Sequence, residues 1–412
     1  MKSSSKSVSE NLNPLTKTVV GVQFLFVAFG ATVLVPILAG LDPATALFSA
    51  GIGTLIFHLV TKGMVPIFLG SSFAYIAPII LSSQKWGLSG TLTAFIGVSL
   101  VYFVVSAVIK WRGTGFLNKV FPSVVVGPTI MLIGFSLAPT AVNMASSDWL
   151  IAIISLVVAI IVMTFGKGLF KLFPVMVGIF ASYIVAACLG KVDFTTIQNA
   201  PWFALPKNIA EYHLPSFKWQ PFLCMLPIAF ASIIEHVGDI YVIGNVAKKD
   251  FIKNPGLHRT LLGDGLAILA GAFVGGPPVT TYSEVTGAVQ ITRVTNPQVL
   301  RITAITAILF SVVGKLNAFL QSIPSAVLGG IMIILFGSIA SVGMRSIVEN
   351  KVNFEESRNI LIAGVMIVLG IGGAVINAGS LTLSGLALSC LVGILLNLLL
   401  PSKTTEKPEK ES

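Results

Sequence analysis

Charge is scarce in this chain. Of its 412 residues only 10% are Asp, Glu, Lys or Arg, against roughly 25% in an average soluble domain. Hydrophobic residues make up 55%, and the mean hydropathy is +0.92. That shortage excludes a soluble globular protein. It also excludes a disordered chain, which needs charge and little apolar surface. The formal charge of +10 is no nucleic-acid footprint, because the basic residues stand between long apolar runs and form no basic face. Cysteine is almost missing: Cys188, Cys224 and Cys390 are an odd, scattered set that makes neither a disulfide framework nor a metal site. The chain also lacks a P-loop, HExxH, G-x-S-x-G and any metal-ligand spacing. Neither ATP-driven transport nor an intramembrane enzyme is expected, and no cofactor or metal is implied.

What is present is apolar sequence in lengths suited to a lipid bilayer. About 20 apolar residues span one as a helix. Candidate spans lie near 17–39, 43–61, 88–109, 122–140, 149–165, 170–190, 220–243, 258–275, 299–317, 323–342, 358–376 and 382–400. Two further stretches, about 66–83 and 277–291, are short and broken by Gly, Pro, Ser and Thr. Counting each as a half-span predicts an all-α polytopic membrane protein of 14 segments. Lys and Arg test the count: with the N-terminus inside, 21 of the 26 fall on inner segments, as the positive-inside rule requires. Both termini are therefore expected in the cytoplasm. Residues 1–16 read as a short disordered head without a cleavable signal, and 401–412 as a tail. The one long outer loop, about 191–219, carries Trp202, Tyr212, Trp219 and several prolines and is expected along the membrane interface.

The halves echo each other. Phe121 to Ala138 reads FPSVVVGPTIMLIGFSLA and Ile323 to Ala340 reads IPSAVLGGIMIILFGSIA. Identical are Pro122/Pro324, Ser123/Ser325, Val125/Val327, Gly127/Gly329, Ser136/Ser338 and Ala138/Ala340. The broken stretches correspond as well, Gly70–Tyr75 against Val279–Glu284. Two units of seven segments follow. Seven is odd, so the second lies inverted relative to the first, and paired interruptions in inverted repeats point to a secondary transporter with its site near the midplane. Backbone out of helix within a membrane must be satisfied by protein or a water-filled cavity. The composition around Ser72, Thr280 and Thr281 suits a short pair of strands.

Four acids fall within the apolar segments: Glu235, Asp239, Asp264 and Glu284. A carboxylate at the bilayer centre costs at least ~2.5 kcal/mol, so each needs a partner or a task. Glu235 and Asp239 are four apart and share one helix face. Two carboxylates in one dry cavity do not both ionise readily, so one of them is expected to hold a proton, a basis for proton coupling; the alternative is a structural pair. Glu284, inside the second interruption, is a ligand candidate or a strut between strands. Asp264 reads as a structural cap or a dimer contact. Phe73, in the first interruption, is placed to stack on a flat ring. His236 points about 100° from Glu235 and reads as a supporting residue, and His58 as a packing one.

These stretches resemble a known family. Phe29–Pro36, Gly70–Tyr75, Ile234–Asp239, Asn254–Arg259 and Thr280–Glu284 are similar to the bacterial uracil permeases of the nucleobase–ascorbate transporters, also called nucleobase:cation symporter family 2. The likeness covers about 15–400. It implies short antiparallel strands in segments 3 and 10. It also implies a core domain (17–110 and 220–317, segments 1–4 and 8–11) and a gate domain (111–219 and 318–400, segments 5–7 and 12–14). By the resemblance Glu235 and Glu284 bind the base, Phe73 packs on its ring, and Ala31, Tyr282 and Ser283 line the pocket. Ser72, Thr281 and His236 support them, and Asp239, with Glu235 and Glu284, serves proton coupling. The implied protein imports uracil by proton symport across the bacterial cytoplasmic membrane as a homodimer joined through its gate. Tyr282-Ser-Glu-Val285 departs from the usual Tyr-Gly-Glu-Asn, which leaves another nucleobase such as xanthine or urate as the alternative. An anion transporter of a related inverted-repeat fold is a further one.

Overall fold

The computed structural model describes residues 13–115, 120–167, 173–211, 214–378 and 381–401. Residues 1–12 of the expected head, 402–412 of the tail, and Tyr212 of the outer loop lie outside these. The described chain is almost entirely helical. Helix α1 (Pro14–Ala39) starts where the Asn13 side chain accepts from the Thr16 N–H at 2.7 Å, with Pro14 in the first turn. Helix α2 (Pro43–Val60) repeats the device with Asp42 and Pro43. Both use a side-chain acceptor for an orphan N–H and a proline that has none to satisfy. Then come strand β1 (Leu69–Ser71), a single 3₁₀ turn (Phe73–Tyr75), and α3 (Ile76–Arg112). Gly87, at φ +68°, breaks α3 into two arms, a backbone turn that glycine makes without a Cβ penalty.

Next are α4 (Ser123–Ala145), α5 (Trp149–Phe165), α6 (Pro174–Cys188), α7 (Leu226–Ala247), α8 (Leu257–Val274), strand β2 (Val279–Thr281), α9 (Ser283–Thr292), α10 (Pro297–Ser311), α11 (Ser325–Glu349), α12 (Ser357–Ile371), hairpin strands β3 (Val375–Ala378) and β4 (Leu381–Ser384), and α13 (Gly385–Leu399). Seven of the described helices are long and apolar enough to cross a membrane, and five shorter apolar ones accompany them. The chain is a multi-pass membrane protein. Its surface agrees: α5 turns Leu150, Ile153, Val157, Ile160 and Ile161 outward, a stripe that water would not tolerate on a soluble protein.

Two expected spans are shorter than the hydropathy suggested. The β3–β4 hairpin occupies residues assigned to the ends of the spans at 358–376 and 382–400. Apolar composition alone does not separate a short strand from a helix end.

Helices α1, α2, α3, α8 and α10 pack on one another, as do α4, α5, α6, α11, α12 and α13. Small residues let α4 and α11 approach closely. A methyl group added at Gly134 would stand 2.3 Å from the Phe336 carbonyl, and one at Gly343 2.6 Å from that of Gly127. Close backbone contact of this kind substitutes for the hydrophobic drive that lipid cannot supply. The outer loop exposes Trp202, Phe203, Leu205, Phe217 and Trp219.

Candidate functional site

Two chain breaks meet inside the protein. Strand β1 pairs antiparallel with β2, Leu69 opposite Thr281, Gly70 opposite Thr280 and Ser71 opposite Val279. The pairing satisfies backbone that a helix would otherwise have served. The Leu69 N–H donates to Thr54 Oγ1 at 2.9 Å, and the Ser72 N–H to the Pro278 carbonyl at 3.2 Å. Gly70 is required here: a Cβ would stand 2.1 Å from the ring of Tyr282. Each strand runs straight into a helix. β1 leads through Phe73–Tyr75 into α3, and β2 leads through Tyr282 into α9.

The acids gather beside these breaks. Glu235 and Asp239 lie on α7, Glu284 lies in the first turn of α9, and the two helices pack together. Asp239, Glu284 and Asp264 are the acids close enough to act electrostatically on Glu235. Glu235 and Glu284 are half-buried and Asp239 is buried. Space adjoins them: a Cβ at Gly238 or Gly287 would meet nothing within 4 Å. Around the breaks the buried hydroxyls of Ser71, Ser72, Thr281 and Thr286 have no hydrogen-bond partner among the described residues. Buried polar groups are rarely left so unless something else fills the space. Phe73, 8% exposed, meets Phe336 of α11 edge-on, centroids 5.7 Å apart at 89°. Tyr282 is buried and its hydroxyl faces Thr32 of α1. The side chains of Ala31 and Ser283 lie outside those described, although their backbone belongs to α1 and α9.

His236 is turned away from this space. Its Nδ1 is 2.8 Å from Asp264 Oδ2 and its Nε2 is 2.8 Å from Thr260 Oγ1. Thr280 of β2 donates to the same Asp264 oxygen at 3.1 Å. His236, Thr260 and Asp264 are 0% exposed. Asp264 is thus an interior tie between α7, α8 and β2, which excludes a dimer-contact role: no part of it reaches a surface. His58 packs as expected, its Nε2–H donating to the Ile67 carbonyl at 2.8 Å.

The sequence reading brought forward Glu235, Asp239, Glu284, Phe73 and Tyr282, and the structure sets them around the paired breaks. It missed Phe336, Thr32 and Thr286. Thr286 was within reach, two residues past Glu284. Phe336 had no signal, being one phenylalanine of 27. The arrangement offers carboxylates to accept N–H groups, spare hydroxyls for carbonyls, and an aromatic face for a flat ring.

Known proteins share this architecture. A family model described as "Permease family" matches residues 16–379. A probable uracil permease of Haemophilus influenzae is 48% identical over 97% of this chain and 98% of its own. The uracil permease of Bacillus subtilis is 42% identical over 94% and 93%, and that of Escherichia coli 39% over 96% and 94%. Among solved structures, the transmembrane domain of the cyanobacterial bicarbonate transporter BicA superposes with a TM-score of 0.62 at 16% identity, covering 93% of this chain and 97% of that one. SLC26A9 superposes at 0.65 and 12% identity; the chain spans 65% of that protein's length. Identities this low speak for the fold alone.

Proposed function

The chain belongs to this permease family, and we propose that it imports uracil by proton symport, with its two halves as inverted repeats of seven segments each. The observation that carries the reading is the convergence of Glu235 and Glu284 beside paired chain breaks whose hydroxyls lack partners among the described residues. Uracil is flat and uncharged, with N–H and C=O groups alternating on its edge. Glu235 and Glu284 accept its N–H groups, free hydroxyls and backbone N–H groups serve its carbonyls, and Phe73 covers its ring. Relatives named uracil permease over nearly the full length support the substrate.

Two contacts support the inverted-repeat reading. In the strand pair, replacing Gly70 by its counterpart Val279 and Thr280 by Ser71 turns one pair of the ladder into another. In the helix crossing, Gly127 faces Ile347, and its echo Gly329 faces Ala145, the counterpart of Ile347. Both contacts survive exchange of the halves, as a two-fold axis in the membrane plane requires. In this reading α1–α3 and α7–α10, with β1 and β2, form the core that holds the base; α4–α6 and α11–α13 form the gate, through which two copies associate. The protein sits in the cytoplasmic membrane with both termini inside. A proton shared by Glu235 and Asp239, with Glu284 nearby, biases the core's movement against the gate.

The test is uptake of labelled uracil by proteoliposomes under an imposed proton gradient, with a panel of unlabelled bases as competitors. Uracil is expected to compete best, and a protonophore to abolish accumulation. Accumulation indifferent to the gradient would remove the symport, and stronger competition by xanthine or urate would change the substrate.

A further inference from the structure

Three hydroxyls meet at one point of the interior. Ser232 lies on α7, one helical turn before Glu235 and on the same face. Its Oγ is 2.6 Å from the hydroxyl of Tyr75 and 2.8 Å from that of Tyr102, and 3.2 Å from the Ala229 carbonyl. Ser232, Tyr75 and Tyr102 are 0% exposed. A serine has one proton and two lone pairs. Its proton goes back along the helix to Ala229, so both tyrosines donate, and the oxygen is saturated. Tyr75 ends the turn that begins with Phe73. Tyr102 comes from the second arm of α3.

We propose that Ser232 is a positioning residue of the substrate site: as common acceptor for Tyr75 and Tyr102 it fixes the turn carrying Phe73 relative to the carboxylate of Glu235. The proposal rests on the reading of Phe73 and Glu235 as substrate contacts. Ser232 touches no substrate. It acts because its helix is the one that carries Glu235, while its two partners come from the turn at the first break and from the second arm of α3. A flat solute gripped at its edge by one element and on its face by another is recognised only as well as those elements are held in register. Ser232→Ala leaves two buried O–H groups without their acceptor and frees the turn.

The experiment uses the full-length protein in proteoliposomes and measures labelled-uracil uptake, the melting temperature, and competition by a purine against a pyrimidine. Ser232→Ala is expected to raise KM about tenfold, the scale of one buried hydrogen bond, with maximal uptake within about twofold, and to narrow the preference between ring sizes. The triple variant Ser232→Ala, Tyr75→Phe, Tyr102→Phe removes the stranded donors together, so it is expected to recover melting temperature but not KM. Recovery of both would make the knot structural only and overturn the proposal, as would an unchanged KM in Ser232→Ala. Should Ser232→Ala fail to fold, Tyr75→Phe alone decides: KM is expected to rise a few-fold, and no rise overturns the proposal. Wild-type protein that takes up no uracil fails the functional reading instead, a result visible before any variant is made.

Discussion

Glu235 and His236 are neighbours in sequence and opposites in circumstance. Both lie mid-helix on α7, Glu235 half-buried and His236 wholly buried. Glu235 faces acids and open space, near hydroxyls with no partner among the described residues. His236 faces α8, with both ring nitrogens within 2.8 Å of polar atoms. Chemistry does not separate them, since each is a titratable side chain next to carboxylates. Satisfaction does. At His236 the polar groups bond one another and hold elements together; at the breaks several hydroxyls gather without a partner among the described residues, and that leaves room for a ligand. A step of about 100° around one helix changes a strut into a site.

The comparison breaks most sharply at Glu235. Glu235→Gln keeps the shape and removes the charge, and is expected to abolish concentrative uptake. A charge-assisted hydrogen bond is worth about 1.5–3 kcal/mol, or roughly 10–100-fold in affinity, before any loss of coupling is added. Uptake at the wild-type level in that variant would refute the role of the residue. Asp239→Asn is expected to do less: uracil binding by calorimetry persists while accumulation against a gradient fails. Lost binding with intact coupling would reverse the two assignments.

Stability measurements sharpen the contrast. Thr260→Val strands the Nε2 side of His236 in the interior and is expected to destabilise by about 1–3 kcal/mol, seen as a lower melting temperature with or without uracil. Thr286→Val removes a hydroxyl that has no partner among the described residues, so the melting temperature of the ligand-free protein is expected to hold while affinity for uracil drops a few-fold. Equal losses of stability in the two variants would erase the distinction between strut and site.

Much of this contrast was readable before any coordinates. Glu235, Asp239 and Glu284 stood out because a carboxylate in an apolar run needs a reason. The breaks stood out because Gly, Ser and Thr interrupt otherwise helical composition at corresponding points in the two halves. What stayed hidden depends on who meets whom across the fold. Asp264 reads as a structural cap or a dimer contact, and nothing in its own segment announces His236 or Thr280 as partners. Phe336 belongs to α11, far along the chain from Phe73. The β3–β4 hairpin was hidden for another reason: Val375–Ala378 is apolar enough to pass for the end of a helix.

Beyond the interior, an exposed pair sets the lower limit of the comparison. Asp148 and Lys191 form an ion pair between the start of α5 and the outer loop, with side chains 18% and 49% exposed. The hydrogen bond from Lys191, helped by the Ile151 N–H, holds the Asp148 carboxyl below the usual carboxylate range. A depressed carboxylate adds stability above its unfolded value, near pH 4, and loses it as pH falls through the lower folded one. Between pH 6 and 8 the contribution is therefore constant, and water screens most of it. Asp148→Asn is expected to leave uptake unchanged and to shift the melting temperature less than any interior variant above, with the same small shift at pH 6 and pH 8. A shift as large as that of Thr260→Val would mean that exclusion from water does not set the weight of these polar contacts, and the distinction between Glu235 and His236 would need another cause.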